Sequence, residues 1–366
     1  MAKIRIANTQ FEWELEQKSS PSLEASFNIH PIYLQLQFLS YLYSEKTDVA
    51  LTTILPDPDY RKRLQKLGIE IPQTELFSSK NLPKLEIDCW GMTLCISNFA
   101  EKHQIPFSMP TWSSMKEFNS KEFSFTNADK LEGARLLHNE KEAIDWLENT
   151  KGPRVLKSVY GLSGRGHFLL RSGLEPQAKF LLERQWKLNN PVIAEPWVER
   201  VLDFSTQWIL TKQGAITYLG VTLCKNDQRG SYKKTIVLPT DSIGEEYAIH
   251  LEEHKKKVEP ILILMNKNGF FGPVGIDAMI YKKGNIETLH PIVEINARKT
   301  MGSVALTIQR TYFPEKMIAM SYENGLQEAS LLPNFGVNLE GKITSFSKAL
   351  YLQIHSGNKS WKDVYN

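Results

Sequence analysis

Asp277, Glu294 and Asn296 are the residues of this chain whose types and spacing most directly offer chemistry. The segments "PVGIDAMIY" and "HPIVEINA" read as strands flanking the polar turn "KKGN", a hairpin pattern. Residues 294 and 296 share one strand face, so an aspartate on the partner strand completes a cluster of oxygens. Magnesium takes a few hard oxygen ligands of this kind from protein and leaves positions for water and substrate phosphates. On composition alone, polar residues facing solvent explain such a set more often. The stretch "IVEINA" is nevertheless apolar around its polar residues, and acids on a buried strand need partners.

The second chemical stretch is "VLKSVYGLSGRGHFLL", residues 155–170. It places Lys157 at the end of an apolar run and then Gly161, Gly164 and Gly166 within six positions. Bare backbone exposes N–H donors to a phosphate chain, and Lys157 supplies a point charge. The spacing is not the GxxxxGK[ST] loop, and taken alone a glycine-rich turn with an incidental lysine fits equally well. In "CKNDQRGSYKK", Lys225, Arg229, Lys233 and Lys234 form a polar stretch from which one cation could reach phosphate or substrate, while a solvated loop explains each individually. His290 could face the same site as Glu294, although strand histidines are more often hydrogen-bonded core or rim residues. "HLEEH", His250 to His254, matches the H-x-x-E-H zinc pattern, but no third ligand is apparent and a solvated, charge-laced helix face explains it more simply.

The elements that must position these groups alternate along the chain. "KIRIAN" and "DVALTTIL" are strand-length apolar runs, "PDYRKRLQKLG" is a short amphipathic helix closed by Gly68, and "IEIP" resumes an extended path. "CWGMTLCISNFAEKHQ" has helical spacing and "IPFSMPTW" reads as a strand bounded by prolines. "NADKLEGARLLHNEKEAIDWLENT" reads as helical throughout, with Asn127 or Asp129 as its cap. A helix in "EPQAKFLLERQWKLNN" precedes extended segments in "PVIAEPWV", "DFSTQWILT", "AITYLGVTLCK" and "KKTIVLP". A helix over about residues 243 to 268 and another in "MGSVALTIQRTYF" bracket the acidic hairpin. "FEWELE", with its acids and Trp13, could line a pocket, but an amphipathic strand or loop is the commoner explanation.

Bulk properties fit an ordinary globular chain. A length of 366 residues suits two or three domains. The 44 Lys and Arg against 41 Asp and Glu leave a net charge of +3, too little to imply a nucleic-acid or membrane surface. No apolar run approaches the roughly 18 residues of a membrane span and no leader pattern opens the chain, so a cytoplasmic location is expected. Three cysteines, Cys89, Cys95 and Cys224, show no CxxC spacing and imply neither a disulfide framework nor a zinc site.

Taken in order, the lysine of "ADKLEGARLL", the lysine and glycine loop of "LKSVYGLSGRG", "EPWVE", an aspartate on one strand and "VEINAR" on the next resemble the ATP-grasp superfamily of carboxylate-amine ligases. The resemblance covers about residues 126 to 310. It implies a mixed α/β and α+β fold: a Rossmann-like domain over residues 1–112, then an ATP-grasp fold of two α+β subdomains. The lid with the glycine-rich loop would span 113–195 and the C-terminal subdomain with the metal site 196–366. It further implies that Lys130 and Lys157 contact nucleotide phosphates and that Gly161, Ser163, Gly164, Arg165 and Gly166 form a phosphate cover. Glu195 would face the adenine amino group, Trp197 and Val198 would offer backbone to the ring, and Asp203 would meet the ribose hydroxyls. Asp277, Glu294 and Asn296 would bind Mg²⁺ or Mn²⁺, and Arg298 would sit beside the reacting carboxylate. ATP would activate a small-molecule, amino-acid or peptide carboxylate as an acyl phosphate for attack by an amine. An ATP-binding scaffold without ligation and an ATP-grasp kinase are the alternatives. The substrate-reading segments carry no legible motif, and the apolar C-terminal segment would dock on the body of the protein or on a second copy.

Overall fold

The computed structural model describes residues 1–17, 20–161, 166–170, 173–227, 230–324, 329–355 and 360–366. Near the N-terminus, β1 (Ile4–Ile6), β2 (Val49–Thr52), β4 (Gln73–Leu76) and β5 (Ile87–Cys89) form a parallel sheet in the order β4-β2-β1-β5, while β3 (Leu55–Pro56) leaves it. All four residues of β2 are buried, as a parallel sheet covered on both faces requires. Ala50 and Leu51 belong to different apolar clusters, one on each face. Helix Pro58–Lys66 begins on a proline and ends before Gly68, whose φ of +76° suits glycine.

Three expectations fail here. "FEWELE" is helix Phe11–Glu16: its Phe11 and Leu15, one turn apart, enter the core, and this pairing outweighs the alternating pattern. The segment "IPFSMPTW" forms no strand, its last residue opening a helix; the fourth strand of the parallel sheet is β5, upstream of helix Leu94–Lys102. The long helix from residue 127 breaks into a turn, β6 (Arg135–Leu137) and helix Glu140–Asn149. Gly133, at φ +82°, ends any helical path, and the Asn139 side chain accepts from the Glu142 N–H to start a new one.

In the middle of the chain, β6, β7 (Arg154–Ser158), β8 (His167–Leu170) and β9 (Val192–Pro196) form an antiparallel sheet ordered β6-β9-β7-β8. Helices Glu140–Asn149 and Pro176–Lys187 cover one face, burying Trp146 and Leu182 against Leu156, Val192 and Ala194. Strand alternation therefore sends Lys157, Ile193 and Glu195 to the other face.

The third sheet has seven antiparallel strands. β10 (Arg200–Leu210), β11 (Ile216–Asn226), β12 (Tyr232–Val237), β13 (Gly272–Lys283), β14 (Ile286–Asn296), β15 (Met317–Asn324) and β18 (Lys348–His355) run in the order β14-β13-β10-β11-β12-β15-β18. Helix Ala248–Lys267 packs on the face bearing Phe204, Ile276 and Ile280. Asp203, Ser205 and Asp277 therefore occupy the opposite face. Between β15 and β18, β16 (Phe335–Val337) and β17 (Ile343–Ser345) join β3 in a small sheet. This ties the end of the chain to its first lobe.

Candidate active site

A cleft of about 560 Å³ lies between the uncovered faces of the four-stranded and seven-stranded sheets, with the N-terminal lobe contributing Thr9, Glu12 and Trp90. On the upper face the Lys157 ammonium meets a Glu195 carboxylate oxygen at 2.5 Å, both side chains buried. A buried charge left alone is costly, and here each side chain has the other as its counter-charge. His167 stands opposite Lys157 across the β7–β8 pair. Burial, reinforced by Lys157 and Lys121, brings its imidazole down to about 3. His290 also lines the cleft, and burial brings it down to about 4.

On the lower face Asp277 pairs directly with Glu294 across β13 and β14, and Asn296 lies two residues on. The Asn296 amide donates to Asp277 at 3.1 Å. Burial first, and then the charge of Glu294, raise the Asp277 carboxyl to about 6. Burial opposes ionisation of Glu294 too, but Lys121, chief among the neighbouring groups that include Arg298, turns the balance and leaves that carboxyl below its usual range. The Lys121 ammonium is 2.9 Å from Glu294 Oε1 and donates to the Gly161 carbonyl at 2.8 Å.

Lys121 owes this position to the edge of the sheet. β14 is an outer strand, and two N–H groups at its end find side-chain acceptors: Ile295 donates to Ser124 Oγ at 3.0 Å and Ala297, just past the strand, to Asn119 Oδ1 at 2.9 Å. Those bonds pin helix Lys121–Asn127 against the strand and seat its first residue beside Glu294. A lysine in the first turn of a helix runs against the helix dipole. That was the available signal for a residue the sequence reading missed.

Two carboxylates and an amide in this arrangement suit a hard divalent cation, which would offset the burial and the Glu294 repulsion that together raise Asp277. Among the described residues no group of three or more His, Cys, Asp and Glu is arranged to hold a metal. An ion here would therefore complete its shell from Asn296, water and phosphate.

Arg298 follows at the end of β14. Its Nη2 donates to Asn296 Oδ1 at 3.0 Å and its Nη1 to the Lys299 carbonyl at 2.9 Å. It also pairs with Glu12, which burial holds above its usual range despite the guanidinium. Lys299 pairs with Asp88 beneath it. The N-terminal lobe is thus latched to the Arg298 end of the cleft through Glu12, a second residue to which sequence reasoning gave no role.

At the opposite end Asp203 is held by Arg200 at 3.0 Å and Asn226 at 3.1 Å, and Arg200 lies 5.2 Å from the Trp197 ring. The Tyr365 hydroxyl accepts from the Asp203 N–H at 3.1 Å and donates to the Cys224 carbonyl at 3.2 Å. It bridges two residues that pair across β10 and β11.

The structure brings Lys157, Gly161, Glu195, Asp203, Asp277, Glu294, Asn296 and Arg298 to one cleft. Lys130 is not helix-borne: helix Lys121–Asn127 ends before it, and its exposed ammonium sits at the rim, 4.8 Å from the Phe125 ring. Gly166, Trp197 and Val198 flank the cleft without lining it, and the Trp197 N–H donates to the Pro153 carbonyl at 2.8 Å. Ser163, Gly164, Arg165 and Arg229 lie outside the described residues. Lys233 lines the cleft, whereas Lys234 donates to the Val364 carbonyl and Lys225 sits over the Tyr365 ring. The face of helix Ala248–Lys267 carrying His254 is not solvated. That residue is fully buried, 2.7 Å from both Thr206 Oγ1 and the Pro291 carbonyl, which corrects the reading of "HLEEH" as a solvated face.

No protein-family model and no curated protein sequence matches the chain. Among solved structures, pyruvate carboxylase of Rhizobium etli, determined with acetyl coenzyme A, aligns over 85% of this chain and 36% of its own. Its identity is 13% and its TM-score 0.50. The biotin carboxylase domain of Hydrogenobacter thermophilus 2-oxoglutarate carboxylase, with MgADP and bicarbonate, is 16% identical over 76% of this chain and 69% of that one, TM-score 0.49. Carboxyaminoimidazole ribonucleotide synthase of Aspergillus clavatus, with ATP, is 14% identical over 85% and 94%, TM-score 0.48. Identities this low speak to architecture alone: the chain shares the mixed α/β fold of the aligned part of that pyruvate carboxylase.

Proposed function

We propose that the chain is an ATP-dependent carboxylate-amine ligase, acting on a small-molecule, amino-acid or peptide carboxylate. The observation that supports this reading is one cleft holding two buried lysines, an acid–amide cluster and an arginine at its reacting end. The nucleotide would lie with its base near Glu195, its ribose near Asp203 and its phosphates toward Lys157, Lys121 and the backbone at Gly161. In this reading Lys121 takes the phosphate role expected of Lys130. Mg²⁺, or Mn²⁺ with its similar oxygen preference, would be held by Asp277, Glu294 and Asn296. When bound, it would neutralise phosphate charge.

The residues of the chain position two anions in line. Arg298 orients the substrate carboxylate, one oxygen of which attacks the γ-phosphorus while the bond to the β–γ bridging oxygen breaks and ADP departs. Lys157 and Lys121 offset the charge that accumulates, so electrostatic positioning carries the reaction and no protein nucleophile is needed. The acyl phosphate then loses phosphate to an attacking amine. Neutral His167 and His290 add no positive charge to the cleft.

The free cysteines and the lack, among the described residues, of any helix long and apolar enough to cross a membrane support a cytoplasmic enzyme. The test is ADP release from ATP and Mg²⁺ with pooled acids and hydroxylamine, which traps acyl phosphates as hydroxamates. A ligase gives ADP and hydroxamate together, both lost with EDTA or Asp277→Asn. A kinase releases ADP without hydroxamate, and a nucleotide-binding scaffold releases neither.

A further inference from the structure

The cleft is not polar throughout. Ile32 and Leu36 of helix Pro31–Leu36, with Trp90, Met301, Tyr322 and Leu350, line it alongside the charged groups. These side chains form one wall. Tyr322 and Leu350 are paired across β15 and β18. Buried Gln35 donates to the Lys348 carbonyl at 2.5 Å and to the Pro333 carbonyl at 3.1 Å, fixing helix Pro31–Leu36 to the start of β18. The wall also adjoins the reacting end: the Trp90 carbonyl accepts from the Lys299 N–H at 2.8 Å, and Met301 opens the helix three residues after Arg298.

None of these groups serves a nucleotide whose ribose lies near Asp203, and none offers a bicarbonate-sized anion anything. Ile32, Leu36, Met301 and Tyr322 are each partly exposed, so a small hydrophilic substrate would leave them wet. Apolar side chains held in a concave site beside a few convergent charges are the usual lining of a pocket for a ligand with an apolar body.

We infer that the acid activated here carries an apolar or aromatic body, at least the size of a leucine or phenylalanine side chain, which lies on this wall while its carboxylate reaches Arg298. The inference rests on the ligase reading and names its substrate class. The carboxylate oxygen forms its bond to the γ-phosphorus as ADP leaves. Hydroxylamine nitrogen then attacks the acyl carbon, the carbon–oxygen bond to phosphate breaks and one proton is released.

The experiment measures hydroxamate formation by the full chain with ATP, Mg²⁺ and hydroxylamine. One set of acids is apolar (phenylpropanoate, isocaproate, leucine, phenylalanine) and the other small and polar (acetate, glycolate, bicarbonate by ADP release). The expected result is kcat/KM at least about tenfold higher for the best apolar acid, since methylene contacts in a pocket discriminate by about 10–200-fold. Leu36→Asn and, separately, Ile32→Asn should raise KM for that acid about tenfold or more while ATP affinity stays within about twofold. The second variant covers the case in which the first fails to fold. Preference for the small polar acids, or an unchanged KM in both wall variants, overturns the inference and leaves the ligase reading standing. ATP binding with no hydroxamate and no ADP from any acid sinks the ligase reading, and this inference falls with it.

Discussion

Replacing Lys121 by methionine and, separately, Lys130 by methionine asks which lysine serves the phosphates. Methionine keeps most of the apolar stem and deletes the charge. The Lys121 ammonium lies 2.9 Å from Glu294. At an effective dielectric of about 20, a unit pair at that distance attracts by about 6 kcal/mol, and water and ions reclaim part of it. Loss of one preorganised charge at a reacting centre typically costs about 10²- to 10³-fold in kcat, or about 2.7–4 kcal/mol. Lys121→Met should reach that range and should also weaken ATP binding, because Glu294 and Asp277 would then face incoming phosphates without their counter-charge.

Lys130 is exposed and meets the Phe125 ring at the rim. Solvent screens such a charge, so Lys130→Met should change ATP affinity by no more than about threefold. Displacement of a fluorescent ATP analogue at fixed Mg²⁺ reads affinity, hydroxamate formation reads turnover, and a thermal melt checks that both variants fold. A folded Lys121→Met protein that binds and turns over within threefold of wild type, or a larger loss from Lys130→Met, would refute the reasoning.

Tyr365→Phe should lower stability by about 1–3 kcal/mol, because the Asp203 N–H and Cys224 carbonyl lose their shared bridge; it should also narrow any preference for ATP over 2′-deoxy-ATP, measured calorimetrically. Gly166→Ala should weaken ATP binding about tenfold or more, since Gly166 has φ +85° and an added Cβ would collide with Ser158 Oγ; unchanged affinity would show that the hairpin base does not position the loop. Burial holds His254 down to about 4, against about 6.5 in an unfolded chain, so the unfolded state takes up the proton first as pH falls. Its contribution to stability is whole above pH about 6.5 and is lost between there and about 4, on the order of 3 kcal/mol. Urea midpoints for wild type should fall more steeply across that window than those of His254→Gln, and parallel curves would refute the assignment.

What could be read from the sequence divides along a physical line. Asp277, Glu294 and Asn296 were legible as a cluster because strand alternation and a hairpin turn act over a few residues, and a two-residue period needs no knowledge of the rest of the fold. Lys157 and Glu195 were legible through their apolar neighbours, which alternate toward the covering helices. Lys121 was not, because its place depends on Asn119 and Ser124 reaching an edge strand more than 170 residues away. Glu12 was hidden in a different way. In "FEWELE" the period-two alternation competes with the Phe11–Leu15 pair, and burial beneath the N-terminal lobe decides for the helix. The two omitted residues are the ones that touch Glu294 and Arg298, so the long-range contacts absent from the local pattern set the charge balance at the reacting end. Motifs alone assign Lys130 to the phosphates and say nothing of a partner for Arg298. The folded chain ties Glu294 to Lys121 and Arg298 to Glu12, each from a distant part of the sequence, and a loss of register in either lobe would separate them.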